Sequence, residues 1–275
     1  MPASPEERKT QGFVPERRFS LLLFDADETL FDFTRSMREA LRAALAGFGL
    51  PDDADTLGLY AAVNRAHWER YERGEITKAE LRHGRFAVFL EQLCARQGAA
   101  APCGADELDA AYLGELARRP YLIEGARGLC EELRAHYRMA IVTNGVSAMQ
   151  RARIERSSIA ELFGHVFVSE ELGARKPEPA FFDAVFRVYP DIPRACALVI
   201  GDSLTADIAG GARAGAATCW FRRADSSAAD ASAADASADA ALQAASGVRP
   251  DYTARGFGQL RALLLPSRYD SPINE

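Results

Sequence analysis

The sequence predicts an α/β protein, a Rossmann-like parallel sheet core with an inserted all-helical cap domain. Three observations lead there. Short apolar runs without alternation recur at 21–24, 139–142, 166–168, 197–200 and 218–221, the pattern of strands buried on both faces of a parallel sheet. Polar clusters close three of these runs: Asp25-Ala26-Asp27-Glu28-Thr29, Thr143-Asn144-Gly145, and Gly201-Asp202-Ser203 with Asp207. Between the first two runs the pattern is helical throughout, with no strand signal.

The elements follow in order. Residues 1–18 are polar and read as a disordered tail. The core occupies 19–32 and 120–275, and the helical cap 33–119. In the cap, Met37, Leu41, Ala44, Leu45 and Phe48 share one helical face, ended by Gly49 and Pro51. Leu57, Tyr60, Asn64, Trp68 and Tyr71 mark a second helix that stops near Gly74. Thr77-x-x-Glu80 is a capping box opening a third, with Leu81, Val88, Phe89 and Leu93 on its apolar side. A fourth runs over 105–119 and is halted by Pro120. Helices between the later runs supply right-handed crossovers. Residues 224–247 are rich in Ala, Asp and Ser and nearly lack large apolar side chains, so they read as a mobile surface loop without chemistry. Phe257, Leu260, Leu263 and Leu264 suggest a closing helix over 252–265.

Composition bounds the function. The 275 residues carry 48% apolar and 26% charged side chains, ordinary for a globular enzyme. A net charge of -6 argues against a nucleic-acid surface. No apolar run reaches the roughly 18 residues of a membrane span. The N-terminus lacks the apolar segment of a signal peptide. The five cysteines are scattered without a Cys-x-x-Cys pair, so neither a zinc site nor a disulfide framework is suggested. A cytoplasmic protein is expected.

In an open parallel sheet, ligands bind outside the carboxyl ends of the strands, so residues that follow different strands converge. Those expected to meet here are the carboxylates of Asp25, Asp27, Asp202 and Asp207, the Thr143 hydroxyl and the Lys176 ammonium. That is the inventory of a magnesium-dependent phosphoryl-transfer site. If the chain stays extended, Asp25 and Asp27 point the same way, and such close like charges raise each other's pKa. A divalent cation removes the conflict, and magnesium selects hard oxygen ligands. Each residue alone has a plainer reading. Asp is common in caps and turns, Asn-Gly is a turn dipeptide, and Lys before Pro is usually solvated.

Taken in order, Asp25-x-Asp27-x-Thr29, Thr143-Asn144-Gly145, Lys176-Pro177 and Gly201-Asp202-x-x-x-x-Asp207 resemble the four motifs of the haloacid-dehalogenase-like phosphohydrolases. The helical insertion looks like that family's C1-type cap. Val63-Asn64-x-x-x-Trp68-x-x-Tyr71-x-x-Gly74-x-Ile76-Thr77, His83-Gly84-Arg85-Phe86 and Ile208-x-Gly210-Gly211 further resemble the YjjG-type pyrimidine 5'-nucleotidases.

The resemblance implies a Mg²⁺-dependent phosphomonoesterase acting on a small-molecule phosphomonoester, a nucleoside 5'-monophosphate with pyrimidines favoured. Asp25 would be the nucleophile and form an aspartyl-phosphate. Asp27 would protonate the leaving oxygen and then activate water, with a pKa raised by neighbouring carboxylates. Thr143, Lys176 and the backbone N–H groups of Ala26 and Asn144 would hold phosphate. Asp25, Asp202 and the Asp27 carbonyl would bind magnesium, and Asp207 would orient Lys176 and the metal's surroundings. Within the cap, Asn64, Trp68, His83 and Arg85 are the candidates for substrate choice, although Trp68 and Tyr71 at helical spacing also fit a cap core. A sugar-phosphate phosphatase or phosphomutase on the same core, and a catalytically idle binding protein, are the alternatives. A 2-haloacid dehalogenase would leave Asp27 without a task.

Overall fold

The computed structural model describes residues 18–223 and 233–265, so the tail expected at 1–18 lies, apart from Arg18, outside the described residues. Six strands form one sheet: β1 (Leu21–Phe24), β2 (Arg138–Thr143), β3 (His165–Val168), β4 (Ala197–Gly201), β5 (Ala217–Phe221) and β6 (Tyr252–Ala254). All pairings are parallel, in the order β3-β2-β1-β4-β5-β6. The chain lays down β1, β2 and β3 to one side, then crosses back to place β4 on the other side of β1. The order therefore reverses between β1 and β4, where a crevice opens.

The helices are α1 (Phe33–Gly47), α2 (Ala54–Glu72), α3 (Lys78–Gln97), α4 (Ala105–Ala117), α5 (Ala126–Leu133) and α6 (Ser147–Glu155). They continue with the short α7 (Ser169–Leu172), then α8 (Pro179–Val188), α9 (Ala209–Arg213), α10 (Ala233–Ser246) and α11 (Phe257–Leu264). None of these is long and apolar enough to cross a membrane.

The absence of alternation in the strands has a plain cause. Leu22, Phe24, Met139, Ile141, Leu198 and Ile200 pack to one face against α5 and α11. Leu21, Leu23, Ala140, Val142 and Val199 pack to the other against Phe181, Phe182 and Val185 of α8. Side chains alternate across a strand, and both faces here are dry. Each fully buried aliphatic or aromatic side chain contributes about 1.5–3 kcal/mol.

In the cap, α1 and α2 start on Asp32 and Asp53, whose carboxylates accept from the N–H of Arg35 and Thr56 at 3.0 and 2.9 Å. The capping box at Thr77 and Glu80 forms as predicted, with bonds of 3.2 and 2.7 Å. Gly98 ends α3 at φ 65°, the left-handed region that favours glycine. The cap buries its own cluster around Tyr60, Phe86, Phe89 and Tyr112. Val146 and Met149 belong to the same cluster, although they lie at the start of α6 in the core.

Two expectations need correction. The closing helix begins at Phe257 rather than at 252, because Tyr252–Ala254 pairs with β5 as the sixth strand. The segment 224–247, expected to be a loop throughout, carries α10 over Ala233–Ser246. Asp239 of α10 is only 6% exposed and pairs with both Arg222 and Arg255. The helix is docked by charge rather than by apolar area, which is why its composition hid it.

Asp239→Ala should therefore lower stability by about 1–2 kcal/mol, a buried-pair loss discounted because Arg222 is partly exposed. Urea unfolding measures it, and an unchanged midpoint would show that α10 is held in some other way.

Candidate active site

The strand registers bring the polar clusters together. Phe24 lies level with Ile141 on β2 and Ile200 on β4, so Asp25 emerges beside the ends of both neighbours. Its N–H donates to the Ile200 carbonyl at 2.8 Å, the last rung before the crevice. Gly201 is required at the end of β4, because a Cβ there would meet the Asp207 carboxylate at 2.2 Å. Trp220 on β5 fixes the next residue, its indole N–H donating to the Asp202 carbonyl at 2.8 Å.

Lys176 sits at the centre. Its ammonium donates to Asp25 Oδ1 at 2.6 Å, Asp207 Oδ1 at 2.6 Å and the Val142 carbonyl at 2.8 Å, which uses all three hydrogens. Burial works to lower its pKa, but Asp207 and Asp25 hold the ammonium above its ordinary range. Burial pushes the Asp25 carboxyl up to about 7, against the pull of Lys176 and with a further push from Asp207 and Asp27. Asp25 Oδ2 accepts from no described residue and is left facing the crevice. Asp207 Oδ2 accepts from the Ser203 N–H at 3.1 Å. The loop carrying Lys176 is held by Asn144, whose side chain accepts from the Lys176 N–H and donates to its carbonyl, both at 2.9 Å. Asn144 thus uses both ends of its side-chain amide on the scaffold.

Asp27 does not lie as an extended chain would place it. After Phe24 the backbone turns, with the N–H groups of Leu30 and Phe31 both returning to the Ala26 carbonyl, and Glu28 at φ 56°. The turn sends the Asp27 carboxylate toward α6. Arg153 pairs with its Oδ1, and Gln150 Nε2 donates to its Oδ2 at 2.8 Å. Gln150 also donates to Thr143 Oγ1 at 2.9 Å, and the Gly145 N–H adds a second bond at 3.1 Å. Thr143 therefore keeps its hydroxyl hydrogen to give to a ligand.

Above these groups the cap overhangs a partly open cavity of about 460 Å³, a usual size for a small-molecule site. Its floor includes Asp25, Asp27, Thr143, Lys176 and Asp202, and its roof includes Phe33, Met37, Asn64, Trp68, Arg85 and Tyr112. Three of the expected cap residues, Asn64, Trp68 and Arg85, line it. His83 does not, which corrects that expectation: it faces outward on α3, with its Nδ1 2.8 Å from Asp106. Position on the helix decides this, since His83 lies two residues, and so about 200°, from Arg85.

The haloacid dehalogenase-like hydrolase family matches residues 19–215. The chain belongs to the haloacid dehalogenase-like hydrolases. The HAD-hydrolase YfnB of Bacillus subtilis (strain 168) is 36% identical over 209 residues, 74% of this chain and 84% of its own length. YjjG of Escherichia coli (strain K12), a pyrimidine 5'-nucleotidase, is 34% identical over 203 residues, 74% of this chain and 86% of its own. The pyrimidine 5'-nucleotidase PynA of Streptococcus pneumoniae (strain ATCC BAA-255 / R6) is 32% identical over 209 residues, 74% and 84% of the two chains. The crystal structure of YfnB bound to magnesium, which reveals interdomain movement, matches with a TM-score of 0.76 and 31% identity, covering 90% of this chain and 100% of that one. The protein is thus a HAD-like phosphatase.

The acidic cluster of this phosphatase suits a hard divalent cation. Carboxylate oxygens of Asp25, Asp202 and Asp207 all lie within 4.8 Å of one another, with one ammonium to offset three negative charges. Asp27 contributes no carboxylate to this group, because Arg153 and Gln150 hold it elsewhere. Sequence reasoning passed over those two residues, which look like the polar face of an ordinary surface helix. Their i, i+3 spacing on the helix that follows Thr143 was the available signal. It also passed over Lys78, which donates to the Asn144 carbonyl from the cap and lies 4.4 and 4.3 Å from the Trp68 and Tyr71 rings. Burial, offset by Glu170 and reinforced by Arg85 and Arg175, pulls Lys78 down to about 7.

Lys176→Met should leave Asp25 and Asp207 facing each other without their shared cation. Turnover is expected to fall at least about a hundredfold, the scale for losing one preorganised charge. Stability should fall by about 3–5 kcal/mol, the cost of breaking a buried charge network. Phosphate release and urea unfolding test the two parts, and near-wild-type kcat would remove Lys176 from the active site.

Proposed function

We propose that the protein is a Mg²⁺-dependent 5'-nucleotidase that hydrolyses pyrimidine nucleoside 5'-monophosphates through an aspartyl-phosphate. The kinship to two pyrimidine 5'-nucleotidases at 34% and 32% identity carries the substrate class. The partly open cavity, with charged and polar groups on one side and the aromatic Phe33, Trp68 and Tyr112 on the other, agrees with it.

The chemistry follows from what each side chain has free. Asp25 Oδ2 attacks phosphorus, and the bond to the nucleoside 5'-oxygen breaks. Asp27 gives its proton to that leaving oxygen. It then takes a proton from water, whose oxygen attacks the phosphorus of the acyl phosphate and releases inorganic phosphate. Arg153 and Gln150 orient the Asp27 carboxylate throughout, each oxygen keeping a second lone pair for the proton. Thr143 donates its hydroxyl to a phosphate oxygen, joined by the backbone N–H groups of Ala26 and Asn144. Lys176 fixes Asp25 so that Oδ2 rather than Oδ1 is presented. Magnesium, held by Asp25, Asp202 and the Asp27 carbonyl with Asp207 behind them, would offset the negative charge that opposes a carboxylate and a phosphate dianion.

Asp25→Asn and chelation by EDTA should each abolish phosphate release, with Mg²⁺ restoring the chelated enzyme alone. Asp27→Asn should lower kcat by at least about a hundredfold, the scale for a positioned acid, while nucleotide affinity changes little. Full activity of Asp25→Asn, with deamidation excluded by mass spectrometry, would sink the nucleophile assignment. A panel of nucleotides and sugar phosphates tests the substrate class. Higher kcat/KM on the sugar phosphates would replace the nucleotidase reading with the sugar-phosphate one.

A further inference from the structure

Asn64 is the one cavity-lining amide on the cap side, and its neighbours decide which end of it a substrate meets. Arg85 is 2% exposed, and its Nη1 donates to Asn64 Oδ1 at 3.0 Å. A guanidinium has donors and no acceptor, so the amide cannot turn its nitrogen toward Arg85. Arg85 is itself fixed, because its Nη2 donates to Asp109 Oδ1 at 2.6 Å while Arg82 holds Asp109 Oδ2 at 2.9 Å. Asp109 is 3% exposed, so the arrangement is set by buried charge. No described residue accepts from Asn64 Nδ2, and Asn64 borders the cavity. The roof therefore presents an N–H donor of fixed polarity, on a lining that holds the apolar Phe33, Met37 and Trp68 and the charged Arg65 and Glu72 as well.

We propose that Asn64 Nδ2 donates to the C2 carbonyl of a pyrimidine base, with Arg85 as the positioning residue that fixes the amide's polarity. This rests on the nucleotidase reading above. The choice of carbonyl follows from the bases themselves. At C4, uracil and thymine carry a carbonyl but cytosine carries an amine, which a fixed donor would repel. The C2 carbonyl is the exocyclic acceptor common to all three. A donor that cannot flip thus accepts the pyrimidines as a class through C2 and does not separate them at C4.

The test compares the wild-type enzyme with Asn64→Asp on uridine 5'-monophosphate, 2-thiouridine 5'-monophosphate and p-nitrophenyl phosphate. Aspartate keeps the bond to Arg85 and turns the cavity side from donor to acceptor. The ratio of kcat/KM for uridine 5'-monophosphate over p-nitrophenyl phosphate should fall at least about tenfold, since an acceptor facing an acceptor in a binding site is heavily penalised. Wild type should prefer the oxygen nucleotide to its 2-thio analogue by about fivefold or more, since sulfur is the weaker acceptor, and Asn64→Asp should lose that preference. If Asn64→Asp does not fold, Asn64→Ala should show the same fall in the ratio. Nucleotide turnover with an unchanged ratio in the folded variant overturns the Asn64 assignment alone. Hydrolysis of p-nitrophenyl phosphate with no turnover of any nucleotide by wild type overturns the nucleotidase reading and this one with it.

Discussion

The Lys176 ammonium is the charge on which the site is built. Asp25 and Asp207 follow different strands and are buried within reach of each other. Two carboxylates so placed would repel strongly in a medium of low dielectric. One ammonium bonded to both, and to the Val142 carbonyl at the end of β2, turns the repulsion into a three-way brace across β1, β2 and β4. The brace also decides geometry. By taking Oδ1 of Asp25 it leaves Oδ2 as the carboxylate oxygen of that residue without a partner among the described residues. Asn144 completes the arrangement by pairing with the Lys176 backbone in both directions, so the loop that carries the ammonium is as firmly registered as a strand.

The enclosure divides the recognition problem into two halves with different physics. The sheet side offers concentrated charge and fixed donors, which suit a phosphoryl group. The cap side offers Phe33, Met37, Trp68 and Tyr112 together with the polar Asn64, Arg65, Glu72 and Arg85, a lining suited to reading shape and hydrogen-bond polarity. The turn at Asp27 joins the halves, because it carries a carboxylate out of the acidic cluster and hands it to Arg153 and Gln150 on α6. Had the chain stayed extended, that carboxylate would have crowded Asp25.

Much of this was legible in the sequence because strand ends are legible. A buried run followed by a polar cluster places Asp25, Thr143 and Asp202 at one edge of the sheet, whatever the helices do. Lys176 and Asp207 follow from the order of the motifs. What the sequence hid has physical reasons in each case. Tyr252–Ala254 is too short to show a strand pattern, and Tyr252 and Thr253 are not buried. α10 is fastened by Asp239 between two arginines, so a search for an apolar face passes over it. Arg153 is wholly buried, yet in the sequence it stands among Gln150, Arg151 and Glu155 and resembles solvated helix. His83 and Arg85 look equivalent in the sequence, and only the helical turn separates the outward residue from the inward one.

The sharing of Val146 and Met149 between the core helix α6 and the cap cluster limits how modular this protein is. Residues 33–119 are inserted between two strands, as if they could be exchanged for another lid. Transplanted onto a foreign core, however, Met37, Tyr60 and Leu116 would lose two of the side chains that complete their cluster. A lineage that changes its lid must therefore remodel the helix that carries Gln150 and Arg153 at the same time. With the roles proposed above, the lid and the helix that orients Asp27 are bound to drift together, and substrate range in such a fold should diversify in linked steps rather than by free recombination.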